Sequence, residues 1–161
     1  MIGVRIRDAT AADWAAIWPF LRTIVRAGET YTLPPDLDEA AARDFWMRAH
    51  TLVAVDGETV LGTAKIVPNQ QGPGAHVANA SFMVDPAHAG KGVGRALGAA
   101  ALERARADGY RAMQFNAVVE TNTGAVRLWQ SLGFTVLATV PEGFHHPTLG
   151  YVGLHVMHRR L

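Results

Sequence analysis

The sequence contains no cysteine, which excludes a disulfide framework, a thiolate nucleophile and cysteine-ligated zinc. It also lacks an apolar run of the about 18 residues that a membrane-spanning helix needs. The opening stretch MIGVRIRDAT has no uninterrupted apolar core of the secretory kind, so the expectation is a cytoplasmic protein. A charge excess is missing as well. The 15 Lys and Arg against 14 Asp and Glu leave +1 with no basic block, which argues against nucleic acid or a membrane as the main partner. Charged residues make up only 18%, below the usual quarter or so, and this leaves apolar surface for a second copy, so a homodimer is expected.

What remains is 161 residues, 49% of them hydrophobic, long enough for one domain over residues 1–161 with a core that needs no staples. A small molecule is the expected partner.

Val4 to Arg7 begins a strand, and Thr10 precedes a helix whose Trp14, Ile17, Trp18, Leu21, Ile24 and Val25 recur at helical spacing. Pro34 and Pro35 end helical continuation through GETYTLPPDLD, and Asp38 caps a second helix to about Ala49. Leu52–Val55 and Thr59–Val67 read as a hairpin around Asp56-Gly57, and His76–Val84 as a further strand ended by Pro86. Gly92–Ala107 is helical, Arg111–Val119 a nearly continuous apolar strand, and Thr123–Leu132 a helix closed by Gly133. Phe134–Val140 and Tyr151–Met157 supply two last strands, parted by the expected loop PEGFHHPTLG. The order β-α-α-β-β-β-α-β-α-β-β predicts an α/β domain, its front half antiparallel and its back half crossed by helices.

The segment VDPAHAGKGVGRAL joins a strand end to a helix start, with Gly90, Gly92 and Gly94 at the junction. A helix N-terminus leaves about four amides unpaired with roughly half a positive charge, and glycine lets a phosphate come close. Two alternatives compete. Gly92, Gly94 and Gly98 resemble a dinucleotide fingerprint with Glu120 as ribose acid, but the turn comes too late after Val84. A magnesium-dependent phosphate loop fails because Gly92 stands where serine or threonine must follow Lys91.

In these segments the chain resembles the GCN5-related N-acetyltransferase superfamily, almost throughout in element order. Ala89-Gly90-Lys91-Gly92-Val93-Gly94 resembles its acetyl-CoA diphosphate loop, and NTGAVRLWQSLGF, from Asn122 to Phe134, resembles its second signature. The resemblance implies a central mixed, mostly antiparallel sheet of about seven strands, a splayed fourth and fifth pair, and about four helices. It implies an acetyl-CoA-dependent N-acetyltransferase working by direct attack in a ternary complex, without metal. Cofactor contacts then fall to Phe82, Met83 and Val84 on the splayed strand, to Ala89 through Arg95 (including Lys91 and Val93), and to Asn122 and Trp129.

Two positions depart from the family pattern. Ala89 replaces a polar side chain, which leaves backbone contacts to phosphate. Trp129 stands where a tyrosine usually protonates the thiolate; indole cannot do so, and the thiolate then leaves unaided. Trp129 is either a packed aromatic or a cofactor contact, and Asn122 either a helix cap or a cofactor contact.

Asn116, in a strand that reads as buried, and Asn79, in the strand before it, need partners. They are either structural amides at a broken ladder or a pair that positions the acceptor. NAVVETN, LWQSLGF and GFHHPTLGYVGLHVM are similar to acetyltransferases of azetidine-2-carboxylate and other proline analogues. That resemblance makes Asn79 and Asn116 the acceptor-holding residues and Asn122 a CoA contact. The superfamily resemblance makes Val84 a main-chain donor to the thioester, and Glu29 and Tyr31 are expected on the acceptor side. A small amino acid or secondary amine is the implied acceptor. Glu29, Glu120, His145 and His146 are the candidate bases; His155 and His158, three apart on a strand, face opposite ways and make no metal pair. A non-catalytic acyl-CoA-binding or sensing module and a nucleotide-dependent oxidoreductase are the alternative functions.

Overall fold

The first turn is fixed by a carboxylate with three partners. Asp13 accepts from the Thr10 amide at 2.7 Å and takes both Arg7 guanidinium nitrogens at 2.8 Å, while Arg7 stands on strand β1, Arg5–Asp8. In the computed structural model, which describes residues 3–161, Thr10 thus heads a short 3-10 turn that leads into helix α1, Trp14–Ala27. Met1 and Ile2, the start of the expected domain, lie outside the described residues. Gly28, at φ 66°, closes α1 in the left-handed conformation, and Asp38 caps α2, Glu39–Met47, by accepting from Ala41 N at 2.8 Å.

The chain continues through β2 (His50–Asp56), β3 (Thr59–Pro68), β4 (Val77–Val84), α3 (Val93–Ala107), β5 (Ala112–Val119), α4 (Thr123–Ser131), β6 (Thr135–His146) and β7 (Gly150–Arg160). The element order is the one read from the sequence. Among the described residues seven strands form one sheet in the order β1-β2-β3-β4-β5-β7-β6, and of its neighbouring pairs only β4 and β5 run parallel. An open parallel sheet of the dinucleotide-binding type is therefore excluded.

Helices cover both faces of the front strands, which is why β2 is apolar on both. Leu52 and Ala54 pack with Leu97, Ala101 and Leu102 of α3, whereas Val53 and Val55 pack with Trp14, Ile17, Leu21 and Trp46 from α1 and α2. No helix among the described residues is long and apolar enough to cross a membrane.

Helix α2 stops at Met47 rather than Ala49, and the last two strands run past their expected bounds, β7 reaching Arg160 rather than Met157. PEGFHHPTLG is no open loop: β6 continues to His146 and pairs with β7 through Phe144–Val152, His145–Tyr151 and His146–Gly150. The register shifts between Val140 and Phe144, where Glu142 takes φ 52°, and this bulge lets the strand resume beyond Pro141.

Candidate functional site

The parallel pair parts almost at once. β4 and β5 share only two rungs, Val77–Ala112 and Ala78–Met113, while β4 stays paired with β3 along its whole length. On the other side of β5, pairing with β7 skips Asn116 and Ala117 through a register shift between Phe115 and Val118. The sheet therefore opens from Asn79 onward into a cleft of about 440 Å³.

Strand geometry decides what faces the opening. Asp85 N donates to Leu61 O on β3 at 2.9 Å, so alternation along β4 turns the Met83 and Ser81 amides toward β3 and those of Val84 and Phe82 toward the gap. Tyr31, from the loop between α1 and α2, meets Phe82 there: its hydroxyl donates to Phe82 O at 2.5 Å and accepts from Phe82 N at 3.0 Å. Burial pushes the Tyr31 phenol well above its ordinary range, so it stays protonated.

Asn79 bridges the widening gap by donating from Nδ2 to Gln114 O at 3.0 Å. Asn116 donates to Asn69 Oδ1 at 2.7 Å and accepts from Gln114 Nε2 at 3.0 Å. It is exposed to the cleft, against the expectation of burial, because the β5 bulge takes it out of the ladder. Asn69 and Gln114 complete this amide network and escaped sequence reading; Asn69 stands in an ordinary turn string, and Gln114 is one polar residue in an apolar strand.

Near the far end of the cleft the chain turns into α3. Gly90 and Gly92 take φ 77° and 79°, and a Cβ on either would meet only open space. The first helical bond runs from Ala96 N to Gly92 O at 3.1 Å, which leaves the amides of Val93, Gly94 and Arg95 without helical acceptors. The Val93 and Met83 side chains are buried in the core, so only their main chains are available to a ligand. Lys91 reaches His88 Nδ1 at 3.3 Å, Arg95 donates to Ser131 Oγ at 2.8 Å, and Ala89 is exposed and extended.

Asn122 stands at the N-cap of α4 without making a side-chain cap bond and lines the cleft. Trp129 is 8% exposed, packed 4.6 Å from Phe82 and 4.9 Å from Phe115 by ring centroids; it is both a core aromatic and a wall of the cleft.

The candidate bases are not among the residues that line the cleft. Glu29 is exposed and outside the cleft lining. Glu120 accepts from Gly153 N at 2.7 Å, His145 stacks on Tyr151 at 4.4 Å, and buried His146 accepts from the amides of Thr148 and Leu149 in the β6–β7 turn. The cleft lining contains no Asp, Glu, Lys, Arg or His. Among the described residues no three His, Asp or Glu converge as metal ligands, and His155 bonds Thr139 at 2.7 Å.

Residues 14–134 match the Acetyltransferase (GNAT) family. The chain belongs to that family. Family enzymes use acetyl-CoA as cosubstrate. A GCN5-related N-acetyltransferase from Kribbella flavida is 61% identical and superposes with a TM-score of 0.95 over 98% of each chain. The N-acetyltransferase aca1 of Schizosaccharomyces pombe is 31% identical over 72% of this chain, which spans 64% of that protein's length. The L-amino acid N-acyltransferase MnaT of Escherichia coli is 32% identical over 85% of this chain and 83% of its own.

Proposed function

We propose that the protein transfers the acetyl group of acetyl-CoA to the amine of a small amino acid or proline analogue, by direct attack in a ternary complex. The observation that carries this reading is the gap that opens at Asn79, where β4 amides freed from β5 face the cleft, that of Phe82 held only by the Tyr31 hydroxyl, near the glycine turn. Amides from Gly90 to Arg95 hold the diphosphate, with Lys91 and Arg95 flanking it and Ala89 adding only backbone. The pantetheine arm lies along Phe82, Met83 and Val84 as a surrogate strand, between Asn122 and Trp129.

The Val84 and Phe82 amides polarise the thioester carbonyl, where loss of one donor costs about 3 to 4 kcal/mol of barrier. The acceptor nitrogen forms a bond to the carbonyl carbon and the carbon–sulfur bond breaks. With no carboxylate, lysine or histidine in the cleft lining and the Tyr31 proton committed to Phe82 O, the ammonium proton passes to water and the departing thiolate takes its proton from water. Asn79 and Asn116 hold the acceptor, and an amino acid is favoured by the likeness to MnaT. In this reading the protein is a cytoplasmic homodimer formed through the edge strand β6, where Val136, Leu137 and Val140 are 37%, 59% and 48% exposed.

Thiol release from acetyl-CoA, measured against a panel of amino acids, proline analogues and polyamines, tests the activity. Steady release with at least one amino acid is expected, and none with any amine overturns it. Light scattering tests the dimer: a monomer mass refutes it.

A further inference from the structure

One buried charge next to the cleft takes no part in that chemistry. Lys65 of β3 is 4% exposed, and among the described residues no carboxylate pairs with its ammonium, whose one perturbing influence is desolvation. Its Nζ lies 3.5 Å from the Phe45 ring centroid and 5.9 Å from that of Trp46. In the β3–β4 register Lys65 stands opposite Ser81, so both side chains rise from the same face of the sheet. Ser81 and Phe45 line the cleft, and Phe45 is 44% exposed. The ammonium is thus set against the acceptor-side wall, at the face of an aromatic ring that lines it.

A largely desolvated cation without a carboxylate partner is costly, and a ring face offsets only part of that cost. Desolvation pushes the Lys65 pKa down to about 8, so the group still carries its charge at neutral pH. The cleft lining itself carries no charged side chain, so the field of Lys65, reaching it from behind Phe45 and Ser81, meets little competition there. An anionic group at the acceptor end supplies the missing counter-charge, whereas a second cation is repelled.

We infer that Lys65 is the charge that selects acceptors, favouring amines that carry a carboxylate beside the reactive nitrogen over neutral amines and polyamines. This rests on the acetyl-transfer reading. Lys65 acts on specificity through its charge and leaves acetyl-CoA binding to the gap and the glycine turn.

The test compares kcat/KM for an accepted amino acid with that for its primary amide, which keeps the amine and loses the anion. The wild type favours the acid by roughly tenfold or more, as one ion pair is worth at this depth. Lys65→Met cuts that ratio about tenfold with the KM for acetyl-CoA unchanged, and Lys65→Arg retains most of it. Equal losses on acid and amide, or a wild type without preference, overturn the proposal. Should Lys65→Met not fold, competition on the wild type decides: a 2-hydroxy carboxylate of the same skeleton inhibits and its amide does not, and inhibition by neither overturns it. Failure of the transfer reading is distinct, because then no amine releases thiol at all.

Discussion

The hydroxyl of Tyr31 closes both backbone groups of Phe82, donating to its carbonyl oxygen at 2.5 Å and accepting from its amide at 3.0 Å. A departing strand leaves an edge whose polar groups need partners, and here a loop side chain supplies them where β5 has turned away. In the proposed reading this amide also serves the thioester carbonyl, which sets Tyr31 and the cofactor in competition for it.

Tyr31→Phe leaves that amide unpaired in the unliganded protein and lowers stability by about 1 to 3 kcal/mol. Saturating acetyl-CoA then fills the vacant position without displacing a hydroxyl. The ligand-induced rise in Tm is expected to be larger in the variant than in the wild type, by calorimetry or dye-based melting. An equal rise in both shows that the cofactor leaves the Phe82 amide alone.

Gly92→Val puts a β-branched residue at φ 79°, at a cost of about 1 to 2 kcal/mol, with open space around the new Cβ. The fold survives, but the side chain stands over the amides that open α3. Acetyl-CoA at 100 times its Kd stabilises the wild type by about 2.7 kcal/mol, and this gain is expected to vanish in the variant. A retained shift locates the diphosphate elsewhere.

Asn79→Ala deprives Gln114 O of its partner and costs about 1 to 3 kcal/mol, whereas Asn116→Ala, at an exposed position, changes stability by no more than about 0.5 kcal/mol. Both are expected to raise the acceptor KM about tenfold while the acetyl-CoA KM holds. Steady-state kinetics separates the outcomes, and an unchanged acceptor KM in both leaves the two amides a purely structural role.

Far from the cleft, His50 bonds Asp108 at 2.8 Å and Asp8 at 3.1 Å, and Arg104 also pairs with Asp8. Asp108, then Asp8, raise the His50 pKa above its ordinary 6.5, and His50 followed by Arg104 lowers that of Asp8 below 3.8. The folded protein therefore holds the histidine proton more tightly than the unfolded chain, and this contribution is complete below pH 6.5 and lost as pH rises through the raised value. The Asp8 contribution is present above pH 3.8 and lost as pH falls through the lowered value. Melting temperature should decline on the alkaline side in the wild type and more gently in His50→Gln; parallel profiles discount the cluster.

Elements whose signals are local were legible in the chain. Asp38 followed by a helical period, Asp56-Gly57 between β-rich runs, and Gly133 after an amphipathic stretch each fix an element through a cap, a turn or a spacing that neighbours in sequence supply. The two strands of the β6–β7 hairpin were legible, but the continuation of β6 to His146 was not, because Pro141, Gly143 and Pro147 read as a loop, while pairing with β7 across a bulge at Glu142 holds the strand together.

The site divides in the same way. By itself the sequence determined the glycine turn that opens α3, the asparagines at 79, 116 and 122, and the tryptophan where a tyrosine is usual. Only the tertiary structure decided that β5 leaves β4 after two rungs, that Tyr31 covers the exposed edge and that Lys65 lies behind Phe45. It also left Glu29, Glu120 and the two adjacent histidines outside the cleft lining. Those outcomes depend on long-range pairing and on which face a side chain takes, and neither is encoded in the spacing of residues along a single strand.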